Sequence, residues 1–142
     1  MTNHPCYLID DFIENTEFHL AVKISKKKLE RNGYVVTHPF YIKDKHGLEY
    51  FFDIGFESDA GSIPWFLWPF LRYNGRAMPA FLIHDAACDR ANSSGLYIYR
   101  AQGDGDFYRH LRDCGIANWI AKSASKAVFN YGLMLKSSGK LK

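Results

Sequence analysis

A histidine–aspartate pair, His84-Asp85, interrupts an otherwise apolar run of residues (PAFLIHDAAC). Burying two such groups is costly unless other polar groups hydrogen-bond to them. The polar residues placed to do so are Asp59 and Ser62, at a predicted strand-to-helix junction, and Asp104. One imidazole with two or three carboxylates suits Zn, Mn or Mg, and such an ion lowers the pKa of a bound water for hydrolysis. We therefore predict a divalent-metal site formed by Asp59, His84, Asp85 and Asp104.

The same residues allow two other interpretations. In a metal-free site, Asp85 or Asp59 would orient His84 as a general base, and Ser62 or a water would be the nucleophile. In a purely structural interpretation, Asp59 and Ser62 cap the junction, His84 is a hydrogen-bonded core residue and Asp104 begins a helix. Cys88 lies one turn after His84, and we interpret it as a small buried residue rather than a ligand.

Aromatic residues are dense immediately after the junction. Two Trp and two Phe within six residues are more than one short helix buries on a single face. We expect some of them to line a pocket or a partner-binding groove, with core packing as the alternative. The residues assigned to this surface are Trp65, Trp68, Phe70 and Tyr73.

The first half of the chain has the pattern of strands. Apolar residues alternate over 18–24, and the runs 34–42 and 48–56 are rich in β-branched and aromatic residues. The segment KDKHG between these runs, residues 43–47, predicts a hairpin turn that ends in Gly. Pro39 predicts an edge strand or an interruption at that point.

The second half has the pattern of helices. We predict a short aromatic helix over 65–71 and longer helices over 77–89 and 104–114, with a loop at 91–99. A last helix follows Asn118 as N-cap, with its packed face on Ile120, Ala124, Ala127, Val128, Tyr131 and Leu135. Strands followed by helices indicate an α+β fold, in which N-terminal antiparallel strands pack with a C-terminal bundle of three to four helices. We expect one domain over 1–142.

Composition excludes several classes of protein. The chain has 142 residues, is 16% aromatic and carries a net charge of +3, which is typical of a folded domain and not of a disordered chain. A pI near 8.7 is below that of dedicated nucleic-acid-binding domains, so we expect no nucleic-acid partner. Three widely spaced cysteines indicate no disulfide framework, and no stretch is long enough for a membrane span.

Three segments together resemble domain of unknown function 1353, a family of small phage and prophage proteins. They are GFESDAGSIPWFLWPF at 55–70, IHDAAC at 83–88 and RAQGDGDFYRHLRDCGI at 100–116, and the similarity covers about residues 35–135. The matched site positions are Asp59, Ser62, His84, Asp85 and Asp104. Trp65 stands where Arg is common in the family, which weakens any prediction of an anionic substrate.

The resemblance implies a phage origin and assigns no reaction. Combined with the site, it leads us to expect a small hydrolase-like protein acting on a phosphoester, a nucleotide signal or a peptidoglycan bond. The alternative is a non-enzymatic virion, assembly or host-factor-binding protein that uses the aromatic residues of 65–73. We expect the host-cell cytoplasm or the virion as its location, and the sequence does not fix the oligomeric state.

Overall fold

The computed structural model describes residues 8–9, 22–26, 32–44, 46–59, 65–71 and 77–142. The chain divides into two compact units, Met1–Gly61 and Ser62–Lys142. The first contains strands and the second contains helices, which confirms the predicted α+β class.

Within the described residues, the strands form two antiparallel sheets of three strands each. They are β1 (Leu8–Ile9), β2 (Val22–Lys26), β3 (Asn32–Val36), β4 (Phe40–Lys43), β5 (Glu49–Phe52) and β6 (Glu57–Asp59). One sheet has the order β1-β4-β5 and the other the order β2-β3-β6. In the first sheet Phe40 lies opposite Phe52, and the two buried rings have centroids 5.6 Å apart.

The predicted hairpin turn is confirmed. It joins β4 to β5, and Gly47 has a φ of 83°, a left-handed conformation that favours glycine. The interruption predicted at Pro39 is also confirmed, because β3 ends at Val36 and β4 begins at Phe40. Of the predicted strand over 18–24, only 22–24 lie within the described residues, where they belong to β2.

The single strand predicted over 48–56 is wrong. β5 ends at Phe52, a turn with Gly55 at a φ of 89° follows, and β6 then pairs in the other sheet. Asp53 stabilises this turn, because its carbonyl accepts a hydrogen bond from the amide of Phe56 and its carboxylate accepts one from the amide of Ile54. The aromatic pattern of 48–56 therefore contained a turn that periodicity did not reveal.

The first described element of the helical unit is a 3-10 turn at Trp65–Leu67 that leads into α1 (Trp68–Leu71). Three long helices follow: α2 (Met78–Ser94), α3 (Tyr97–Asp113) and α4 (Asn118–Ser137). None of the helices in the described part of the chain is long and apolar enough to cross a membrane.

The loop predicted at 91–99 is wrong, because helix occupies most of it. Ser94 stays helical, with its hydroxyl donating to the carbonyl of Arg90 at 2.8 Å, and Gly95 ends α2 with a φ of 75°. α3 then begins at Tyr97, so Asp104 lies in the middle of a helix and does not begin one. Asn118 is the first residue of α4, and its cap position is Ala117.

Two glycines mark the closest contacts between the long helices. A Cβ added at Gly103 of α3 would lie 2.5 Å from the Cβ of Ala87 on α2. A Cβ added at Gly132 of α4 would lie 2.6 Å from the Oδ2 of Asp104. Glycine at these positions therefore allows α3 to pack closely on both of its neighbours.

The packed face of α4 largely agrees with its prediction. Ile120, Ala124, Val128 and Leu135 are buried, whereas Tyr131 is exposed and Gly132 takes its place in the buried row. Tyr131 instead places its ring against the guanidinium of Arg100, with the carbon of that group 5.1 Å from the ring centroid.

Cys114, just after α3, is buried and disulfide-bonded, which the cysteine spacing did not predict.

Candidate functional site

The centre of the site is a hydrogen bond between α2 and α3. The Nε2 of His84 lies 2.7 Å from the Oδ1 of Asp104. The two side chains are 6% and 0% exposed, and the His84 ring also packs on Phe107 at 4.7 Å between centroids. Because both polar groups are buried, this bond stabilises the pairing of the two helices and holds the imidazole in one orientation.

Arg100 neutralises the carboxylate of Asp104 from one turn earlier on α3. Its Nε lies 3.4 Å from the Oδ2 of Asp104. Its two terminal nitrogens donate to the carbonyl of Val128 on α4 and to the Sγ of Cys88 on α2, each at 3.3 Å. One guanidinium therefore links all three long helices around the pair of His84 and Asp104.

Two further groups that can bind a metal lie near the Nδ1 of His84. Its Nδ1 lies 3.8 Å from the Oδ1 of Asp85 and 3.8 Å from the Sγ of Cys88. One ligand atom from each of the three residues lies within 4.8 Å of the other two. Cys88 is a free thiol, and it is partly exposed.

The thiol of Cys88 is not aligned with either ring nitrogen. Its Sγ is 3.8 Å from Nδ1 and 3.9 Å from Nε2, and such nearly equal distances place it away from the line of either lone pair. A nucleophilic thiol activated by His84 would need that alignment. This geometry does not favour proton transfer between Cys88 and His84, and binding of one ion by all three groups would require the Cys88 thiol to turn toward Nδ1.

Burial and hydrogen bonding act in opposite directions on His84. Burial favours the neutral ring, whereas the hydrogen bond to Asp104 and the nearby Asp85 and Cys88 favour the charged one. The balance holds the pKa of His84 well above its ordinary value. The raised pKa therefore favours the charged imidazole, which lies between two carboxylates.

Three of the predicted site residues are brought together. His84, Asp85 and Asp104 form one cluster on α2 and α3, as the interrupted apolar run suggested. Asp104 binds the Nε2 of His84 and is not one of the three converging ligand groups. Asp59 lies in β6, in register with Gly33 of β3. The side chain of Asp59, and Ser62 entirely, lie outside the described residues.

Two residues of the cluster were missed from the sequence. Cys88 was assigned to the core because free cysteines are commonly buried. Its spacing of four residues from His84 places both on one helix face, but that spacing fits a core residue as well as a ligand. Arg100 lay beside the misassigned loop, where no helical spacing connected it to Asp104.

The predicted aromatic surface is described in part. Phe70 is exposed and lies 5.5 Å, centroid to centroid, from the ring of Trp119 at the start of α4. Phe66 in the preceding turn is also exposed. Trp65 and Trp68 lie in the short helical segment with their side chains outside the described residues, and Tyr73 lies outside them altogether.

These features define an α+β protein with a buried His–Asp pair across two helices and a free thiol and a second carboxylate beside it. The family described as "Protein of unknown function (DUF1353)" matches residues 34–128, and the chain belongs to it. The predicted resemblance is thereby confirmed over nearly the expected range. The match includes all of the cluster on α2 and α3.

The chain also has a curated relative. The chain is similar to the uncharacterized protein y4jT of Sinorhizobium fredii (strain NBRC 101917 / NGR234), with 28% identity over 99 residues. That match covers 68% of this chain and 28% of the relative, so the chain corresponds to less than a third of that protein. No solved structure matches the chain.

Proposed function

We propose that His84, Asp85 and Cys88 bind a divalent metal ion and that the protein is a metal-dependent hydrolase. The observation that carries the proposal is that the two ring nitrogens of His84 have different surroundings. Its Nε2 is bonded to Asp104 at 2.7 Å, while its Nδ1 has no such bond and lies 3.8 Å from the Oδ1 of Asp85, with the Cys88 thiol beside the ring. Metal-binding histidines commonly use the second ring nitrogen in this way, with a carboxylate that fixes the ring and strengthens its basicity.

The donor types favour zinc among the three metals predicted. A thiolate, an imidazole and a carboxylate are all ordinary zinc ligands, whereas Mg and Mn prefer oxygen donors. Three protein ligands leave one tetrahedral position for water, and zinc lowers the pKa of such a water to about 7. The ion would thus supply a hydroxide nucleophile for hydrolysis.

The burial of the cluster supports an ion with one accessible side. Asp104 and Arg100 close the inner side, where both side chains are almost fully buried. Asp85 has 21% of its side chain exposed, and Cys88 is also partly exposed. A substrate would therefore approach from the side of α2 that carries Asp85 and Cys88. The candidate substrates remain a phosphoester, a nucleotide signal and a peptidoglycan bond.

Metal binding is the first test. Purified protein should bind zinc by calorimetry, and its cobalt-loaded form should show a thiolate-to-cobalt charge-transfer band. Cys88→Ser should remove that band, and Asp85→Asn should weaken zinc binding. Asp106→Asn is the matched control, because Asp106 is a helix carboxylate paired with Arg109 at 3.3 Å and lies outside the cluster.

The contribution of Asp104 to zinc affinity can be estimated. Removing the carboxylate behind a metal-binding histidine costs about 10- to 100-fold in affinity, so Asp104→Asn should weaken zinc binding by that factor while the Cys88 band persists. Hydrolysis is then assayed with zinc-loaded protein on a phosphomonoester, a phosphodiester, cyclic nucleotides and purified peptidoglycan. A folded protein that binds no divalent ion would refute the metal site, and a loaded protein inactive on every substrate would refute the hydrolase.

A non-enzymatic binding protein is the second candidate, and the exposed rings of Phe66 and Phe70 favour it. In this case the cluster only joins α2 to α3, and the aromatic segment binds a phage or host protein. A folded wild-type protein that binds no divalent ion would favour this function. The phage origin, and a location in the host-cell cytoplasm or the virion, stay predictions under either candidate.

A further inference from the structure

The outward side of α4 carries a row of apolar and basic residues. Trp119, Lys122, Lys126, Phe129 and Leu133 follow one another at alternating spacings of three and four, which places them on one side of a helix. All five are exposed, and we call them the outer stripe. The opposite side of α4 is the buried row that packs in the helical unit.

The apolar members of the outer stripe are large and accessible. Trp119, Phe129 and Leu133 are 55%, 46% and 40% exposed, and Met134 beside them is also exposed. The ring of Phe70 touches that of Trp119 and extends this apolar surface beyond α4. Large exposed apolar residues grouped on one side of a helix mark an interaction site more often than isolated exposed residues do.

The charge of this segment selects an anionic partner. Residues 118–142 contain five Lys and no Asp or Glu, although the whole chain has a net charge of only +3. Lys122 and Lys126 lie within the outer stripe, and Lys136 is exposed one turn beyond it. No carboxylate on α4 opposes the approach of a negative surface.

The mixture of groups within one stripe favours a lipid surface over an acidic protein. Each lysine has an apolar neighbour three or four residues away, so its chain can extend toward phosphates while the rings enter the acyl boundary. Trp is enriched at this depth of a membrane. Helices that lie flat on membranes combine a basic side with large apolar residues in this way.

We propose that the outer stripe of α4 binds anionic lipid membranes, with the helix lying parallel to the surface. This binding is independent of the metal site, because the cluster lies on α2 and α3. It requires no spanning segment and no change in the packing of α4.

The test is binding of the whole protein to vesicles of phosphatidylcholine alone or mixed with phosphatidylglycerol. We expect binding to the mixed vesicles only, and weakening by salt as the charges are screened. Each lysine near an anionic surface contributes about fivefold in affinity, so Lys122→Gln with Lys126→Gln should reduce binding by about 25-fold. Phe129→Ser should reduce it by about fivefold.

Matched controls lie in the strand unit. Phe51 in β5 is 51% exposed and packs on another ring, as Trp119 does, and Lys43 in β4 is an exposed lysine. Phe51→Ser and Lys43→Gln should leave vesicle binding within a factor of two. Circular dichroism of each variant establishes that α4 remains folded.

Four outcomes would overturn the proposal. The protein could fail to bind mixed vesicles, or bind them equally well after the stripe substitutions. It could bind dextran sulfate as tightly as lipid and with no effect of Phe129→Ser, which would indicate a general polyanion surface. Finally, light scattering could show a dimer that the stripe variants dissociate, which would indicate a second copy of this chain as the partner.

Discussion

Substituting Ala for Gly103 should destabilise the protein, whereas the same substitution at Gly105 should stabilise it. Both glycines lie in α3, where Ala is intrinsically better than Gly by about 0.5–1 kcal/mol. A Cβ at Gly105 meets nothing within 4 Å, so the intrinsic gain is kept. A Cβ at Gly103 lies 2.5 Å from that of Ala87, well inside the 3.4 Å at which ordinary contact begins.

The size of the loss in unfolding free energy follows from how far α2 and α3 must separate. The Cβ of Ala87 is fixed to the backbone of α2, so the two helices must separate by about 0.9 Å to restore contact at 3.4 Å. Overpacking of this kind costs about 1–3 kcal/mol, which exceeds the intrinsic gain of the new alanine. The two variants should therefore differ in unfolding free energy by about 2 kcal/mol, or roughly 1 M in the urea midpoint.

The same movement should weaken the site. Separating α2 from α3 would lengthen the 2.7 Å bond between His84 and Asp104 beyond hydrogen-bonding distance. Urea unfolding followed by circular dichroism measures stability, and zinc calorimetry measures the site. Equal stability of Gly103→Ala and Gly105→Ala would refute the close approach of the helices, and unchanged zinc affinity in Gly103→Ala would refute its link to the site.

Two further predictions concern the buried charges. Gly132→Ala should lower the unfolding free energy by about 1–3 kcal/mol in urea titrations, because its Cβ would meet Asp104 at 2.6 Å and the Nε of Arg100 at 2.9 Å; a stabilised variant would contradict the packing of α4 on this pair. In chelator, the raised pKa of His84 predicts that its contribution to stability is full below about pH 6.5 and declines as pH rises through the folded-state pKa. Asp104→Asn should flatten that decline, and parallel wild-type and variant curves of unfolding free energy against pH would contradict the assignment.

The part of the candidate site that could be predicted consists of polar residues in an apolar segment. His84 and Asp85 interrupt an apolar helix, and such residues need polar partners, which made Asp104 one of three candidates beside Asp59 and Ser62. Cys88 carried no comparable conflict, because a small thiol fits an apolar helix face as well as it fits a metal site. Its role depends on the directions of two side chains, which spacing alone does not give.

The boundaries of α2 and α3 were less predictable for a different reason. Ser93, Ser94 and Gly95 led to a predicted loop at 91–99, and the next helix was predicted to start only at Asp104. Gly103 also disfavours helix by propensity, yet it lies within α3. Propensity differences of about 1 kcal/mol per residue are outweighed when tertiary packing requires the helix. Gly103 is the clearest case, because the absent side chain that weakens the helix is what allows its contact with Ala87.

The helices were predicted too short, whereas one strand was predicted too long. Richness in β-branched and aromatic residues predicted one strand over 48–56, but the chain turns after Phe52 and continues as β6 in another sheet. Such composition indicates strand, but it gives neither the position of a turn nor the neighbouring strand. Pro39 and Gly47 were better guides, because each restricts the backbone directly.

The placement of the cluster on consecutive helices bears on the order of folding. His84 and Asp104 are 20 residues apart, and Arg100 is 12 residues from Cys88. In the first sheet, by contrast, Leu8 of β1 pairs with Lys43 of β4, which lies much farther along the chain. Short-range contacts form faster because less chain entropy is lost in closing the loop. We therefore expect the helical unit to acquire its His–Asp bond before the sheets are complete, so that slow strand pairing does not delay formation of the site.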